Sequence, residues 1–214
     1  MSITLAIGTT VSIASTYGAI KTMSAVSNAN PAVGTLEAAH GVVVNDIIHL
    51  TSGWDLLNNR VVRVSAVSTN DVTLEGVDTS DTDLYPAGSG TGRVREITAW
   101  TEVTQITRNF AVSGGEQQYA DISTLKNRDD QRLPTSRTPV DVTLPLFDDP
   151  ALGFVATINA ADAVETGGRF VYPSGGRTLF SGFWTIGQIA TVEDSTLRNS
   201  AAISFAARPI RYTT

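Results

Sequence analysis

The residues able to do chemistry are few. The 214-residue chain has no cysteine, which excludes disulfides, thiolate nucleophiles and Cys-based zinc sites. Its two histidines, His40 and His49, are too few for a His-rich metal centre. His40 precedes Gly41 in a turn and His49 sits in a strand; neither has a nucleophile nearby in sequence, so both are read as structural. No GxSxG elbow, HExxH helix or P-loop occurs. Gly88-Ser89-Gly90-Thr91-Gly92 is glycine-rich, but no helix follows to offer its N-terminus to a phosphate, so a flexible link is expected. Asp78, Asp81 and Asp83 miss the spacing of a calcium loop, with no Gly at its sixth place and no Glu at its twelfth. They read as turn carboxylates. Asp148 and Asp149 are the one adjacent pair of acids before a proline, and Pro150 explains them as helix-capping residues. Trp54, Trp100 and Trp184 are read as core or interface anchors. No metal or cofactor is expected.

Composition sets broad bounds. The formal net charge is −6 with 42% hydrophobic residues, ordinary for a globular fold and no basis for a DNA-binding surface. No apolar run reaches membrane-spanning length. The N-terminus lacks the basic start of a signal peptide, so synthesis in a cytoplasm is the expectation. Lys21 and Lys126 are the sole lysines. Arginine suits bidentate pairing with carboxylates at interfaces, although codon usage accounts for the bias equally well.

The elements are mostly strands. In residues 1–34, Ile3–Leu5, Val11–Ile13 and Ala19–Val26 read as short strands. Residues 35–97 hold four or five short strands, among them Asp46–Leu50, Arg60–Val67 and Asp71–Leu74, enough to close a small barrel. Trp100–Thr107 and Asn109–Val112 precede Ser113-Gly114-Gly115, read as a hairpin turn leading into Glu116–Ala120. Val140, Val142, Leu144 and Leu146 alternate with Asp141 and Thr143, the period of a half-buried strand. From about 149 to 164, Phe154, Val155, Ile158 and Ala161 share one helical face, closed by Gly167-Gly168. A hairpin turning at Pro173–Gly176 and a last strand over Ser200–Ile210 complete the chain. The expected fold is mainly β: a barrel or sandwich with one packed helix and an inserted small β-barrel-like module.

Between them, 121–138 is a long polar segment that a compact domain rarely keeps without a use. Lys126, Arg128, Asp129, Asp130, Arg132 and Arg137 place both signs close together, which suits contact with a copy of the same chain. A solvated loop that orders on assembly is compatible with that.

The order RTPVDVTLPLFDDPALGFVATINAA, RFVYPSGGRTLFSGFWTIGQIAT and SAAISFAARPI resembles the major tail tube proteins of long-tailed bacteriophages. Residues 38–78 are similar to a small β module that recurs in phage virion proteins. The resemblance implies a tail tube β domain from 1–34 plus 98–214, with 35–97 an inserted module on its exterior. It implies hexameric rings stacked around a channel, and a loop reaching the adjacent ring. DNA then passes along an acidic wall without specific binding; Glu116 and Asp141 are the candidate lumen carboxylates. Implied partners are the chain itself and the tape measure, terminator and distal tail proteins, with no membrane. The implied location is the virion tail, assembled in the host cytoplasm. The alternatives are a tail terminator, a capsid decoration protein, a carbohydrate-binding module using Trp54 and Trp184, or, last, a hydrolase using an Asp pair.

Overall fold

A computed structural model describes residues 7–107, 110–126 and 128–213; the expected strand at Ile3–Leu5 lies outside them. Among the described residues, valine-, isoleucine- and threonine-rich stretches pair into sixteen strands around one short helix. The chain builds a closed barrel and a second, open-edged sheet that share one long strand.

The first layer is a six-stranded antiparallel barrel. Its strands are β2 (Lys21–Val26), β3 (Ala32–Leu36), β4 (Ile47–Ser52), β5 (Arg60–Ser68), β6 (Asp71–Leu74) and β7 (Gly92–Glu102). They follow the order β2-β3-β6-β5-β4-β7, and pairing of β2 with β7 closes the ring. Lys21 lies opposite Val94, and Ala32 opposite Leu74. Closure removes every free edge. Met23, Ile48, Leu50, Val62, Val64 and Leu74 fill the interior. Val62 and Val64 on β5 and Val72 and Leu74 on β6 are buried while Arg63 and Thr73 are half-exposed; Val61 is buried on the other side, against Gly167.

The glycine-rich segment at 88–92 is a packed part of this barrel, not a flexible link. Gly53 N–H donates to Thr91 O at 2.9 Å and the Ser52 hydroxyl to Gly90 O at 3.1 Å. A Cβ on Gly90 would lie 2.8 Å from the Trp54 ring, so glycine there lets backbone rest flat on an indole.

The second layer is a sandwich. It comprises β1 (Thr10–Tyr17), β11 (Val140–Phe147), β12 (Thr166–Val171), β13 (Arg177–Ile186), β14 (Thr191–Glu193) and β15 (Thr196–Phe205), with α1 (Gly153–Ala160) against them. The order runs β7-β1-β12-β13-β15-β11. Past β7 the chain crosses to β11, where Thr107 N–H reaches Pro145 O and Ile106 bridges Leu146. The core combines Ile13, Leu144, Leu146, Ile203 and Ile158 with stacked rings: Phe180 lies 4.5 Å from Phe205 and 5.8 Å from Trp184. The helix is shorter than its periodicity predicts. Asp149 does not cap it; its carboxylate instead accepts Ala151 N–H in a preceding turn, and the N-cap is Leu152.

A short last strand, β16 (Ile210–Tyr212), joins the layers. It pairs with β13, while Ile210 and Tyr212 enter the barrel core. The Tyr212 hydroxyl accepts Arg63 N–H and donates to Glu75 O, each at 3.0 Å. Arg63 stacks over its ring, 4.7 Å from the centroid, and pairs with the Glu75 carboxylate. Within the second layer, the Tyr17 hydroxyl on β1 accepts Gly167 N–H on β12 at 2.8 Å.

Candidate assembly surfaces

Beyond the sandwich the chain extends a two-stranded ribbon. β8 (Ala111–Gly114) and β9 (Gln117–Asp121) form one arm; β10 (Arg132–Arg137) and β11 form the other. Val140 lies opposite Gly114 and Arg137 opposite Gln117, so one register runs through both ladders. The glycines therefore do not make the hairpin turn expected at 113–115. They make a kink: Gly114 and Gly115 have φ of 82° and 79°, and a Cβ on Gly114 would collide with Pro139 O. Both Glu116 N–H and Gly115 N–H remain paired with Thr138 across the kink. The sequence reading of 121–138 as structureless is likewise corrected, because β10 occupies its second half.

Polarity explains why that strand was hidden. Along β10 every residue is exposed, on both faces, so no apolar alternation marks it. Arg132 lies opposite Asp121, and Arg137 Nε donates to Gln117 Oε1 at 3.2 Å. A one-residue irregularity separates Pro134 from Arg137; such bulges twist a ribbon. Lys126, Arg128, Asp129 and Asp130 are exposed around its tip. Tyr119, Ile122, Leu125 and Leu133 are exposed too, with Leu125 fully so. A solvated two-stranded ribbon gains little stability from itself, and apolar side chains on it gain by finding a cover.

The sandwich also keeps a bare sheet face. Along β11 and β15, Val142, Leu144, Leu146, Ala201 and Ile203 are buried. Their neighbours Asp141, Thr143, Ala202 and Ser204 are exposed. Registry aligns Asp141 with Ser204 and Ser204 with Phe183, so these residues form one outward face. On β13 the barrel covers part of this side, where Leu179 joins its core and the Ser181 hydroxyl meets Asn59 O. Phe183 and Thr185 beyond it are exposed. Asp141 sits on this face near the ribbon, and Glu116 is exposed at the kink. At the opposite end Arg198 lies 4.0 Å over the Phe147 ring.

The remaining candidates have structural roles. Trp54 and Trp184 are 3% and 0% exposed, so neither is a stacking platform for sugars. His40 takes Val42 N–H on Nδ1 and holds Thr69 O with Nε2. Asp78 accepts Ser80 and Asn30, and Asp81 accepts Asp83 N–H; both act in turns. Asp148 accepts the Asn199 amide at 2.9 Å. His49 faces a cleft of about 540 Å³ between barrel and helix. Burial there depresses its pKa to about 4, with Arg95 adding to the effect, and Nε2 has no hydrogen-bond partner. In the same cleft burial raises the pKa of Glu165.

No curated protein matches the chain. A family model described as phage tail tube protein matches residues 52–214, a stretch from the end of barrel strand β4 onward that takes in the ribbon and every strand of the second layer except β1. The chain belongs to the phage tail tube protein family: it is a structural, non-enzymatic component of the virion.

Proposed function

We propose that copies of this chain form hexameric rings that stack into a tube, with DNA leaving through the central channel. The observation that carries the reading is the pairing of a bare sheet face with a projecting ribbon. A face of small and polar residues over a well-filled core suits a channel wall. Asp141 is the carboxylate on that face and Glu116 lies at its ribbon end; like charge keeps DNA from adhering. Within the ring, the outer edge of β8 offers a ladder for a neighbour to extend, which removes an exposed edge.

The ribbon is the inter-ring contact, through Lys126, Arg128, Asp129, Asp130, Arg132 and Arg137. A contact between unlike surfaces of identical subunits propagates as an open stack. Residues 35–97, within the barrel, stand on the tube exterior. The tape measure, terminator and distal tail proteins are the further partners, and assembly takes place in the host cytoplasm.

The test is electron microscopy of the purified protein at rising concentration, with a trimmed variant beside it. Ala120 and Leu133 lie opposite each other, so replacing residues 121–132 by Asn-Gly closes the ribbon with a tight turn. The intact chain is expected to form tubes with a regular ring repeat. The trimmed chain is expected to keep its thermal transition and form at most single rings. Tubes from the trimmed chain would overturn the inter-ring role.

A further inference from the structure

The structure assigns a receptor for the ribbon: we propose that its tip docks on the β14–β15 end of a second copy of this chain. This rests on the stacked assembly proposed above and adds the surface on the receiving subunit.

The two sites lie at opposite ends of the same strands. The ribbon leaves where Val140 meets Gly114, the end of β11 that also meets the end of β15 at Ser204. The other end of that ladder is Phe147 opposite Arg198. There Asp148 N–H donates to Leu197 O, and β14 folds back on β15 with Val192 opposite Leu197. Subunits stacked with these strands pointing alike therefore bring one copy's ribbon toward the next copy's β14–β15 end.

The β14–β15 end carries apolar surface with nothing over it. Val192 is 76% exposed and Ile189 85%, and Leu197 shares the patch across the ladder. Beside it lies a groove of about 300 Å³ bordered by Phe147, Val155 and Ala190. The ribbon offers matching apolar groups in Ile122, Leu125 and Leu133, all exposed.

Charge then selects the partner. Over 121–137 the ribbon has Lys126, Arg128, Arg132 and Arg137 against Asp121, Asp129 and Asp130. The receiving end has Asp148, Asp149, Glu193 and Asp194 against Arg198, a clear acidic excess. The four cations of 121–137, set beside apolar side chains, fit an acidic end with an apolar patch, and charge complementarity steers and orients such a contact. The fit is heterologous, which extends a stack and does not close a dimer.

The absence of cysteine gives a clean test. Leu125→Cys and Val192→Cys are introduced together into the full chain, which is assembled and then mildly oxidised. The expected result is a ladder of covalent multimers on a non-reducing denaturing gel that reductant collapses. Each single variant should give nothing beyond dimers. Leu125→Cys with Val43→Cys, an exposed barrel position, should give no ladder. Tubes without a Leu125–Val192 ladder, or a ladder from the barrel pair, would overturn the docking while leaving the tube reading intact. No tubes and no ladder at any concentration would overturn both.

Discussion

The barrel and the ribbon are both antiparallel β-structure, yet they use it in opposite ways. In the barrel, β2 returns to β7 and every strand has a partner on each side. Its apolar residues point into a shared interior, and its backbone ladders are paired within one chain. The ribbon has two strands, exposed faces and apolar side chains in solvent. What it lacks is what a neighbouring subunit can supply. Closed β-structure stores stability; an open ribbon stores binding capacity.

Matched substitutions separate the two. Leu50→Ala removes a fully buried side chain from the barrel and should cost about 2–5 kcal/mol through lost transfer energy and a cavity. Chemical denaturation of the monomer measures it. A cost near zero would mean that the barrel core is not what holds this region.

Acidification should weaken the closed region next. His49 has its folded pKa lowered from 6.5 to about 4. Its contribution is present above pH 6.5 and is lost as pH falls toward 4, because the unfolded chain takes up the proton first. The loss should be on the order of 3 kcal/mol at most. His49→Gln should flatten that part of the stability–pH curve.

Tyr212→Phe tests the seam. Removing the hydroxyl leaves Arg63 N–H and Glu75 O unpaired, a loss of about 1–3 kcal/mol. Burial pushes the phenol up to about 12. Its contribution therefore holds below pH 10 and fades as pH rises toward 12; the variant should lack that alkaline loss.

The smallest effect on folding belongs to the ribbon. Leu133→Ser should change monomer stability by no more than about 0.5 kcal/mol, yet lower the fraction of protein that sediments as polymer. A stability loss like that of Leu50→Ala would erase the contrast.

How far each region could be read from sequence follows from the same physics. β6 and β11 alternate because one face of each is buried; β5 does so over Val62–Val64, until a register shift leaves Ala66 exposed. The 173–176 turn stands between two apolar runs. The β9–β10 pair buries neither face, so its sequence looks like loop. Gly114 and Gly115 fit a tight turn and a kink equally well; the choice depends on Val140 pairing with Gly114, a contact distant in sequence. Asp149 suits a cap by local rules, but it serves the turn before the helix. The charged residues at 126–137 were legible as exposed because burial of so many unpaired charges is prohibitive. Val192 and Leu197 were not, since isolated apolar residues in a strand look the same whether covered or bare.

Hydrogen exchange followed by mass spectrometry tests the contrast most directly. Backbone amides of 117–137 should exchange freely in the monomer and become protected in assembled particles, while those of 47–74 stay protected in both. Equal protection of 117–137 before and after assembly would contradict the account, because the ribbon would then be either stable alone or left untouched by its neighbours.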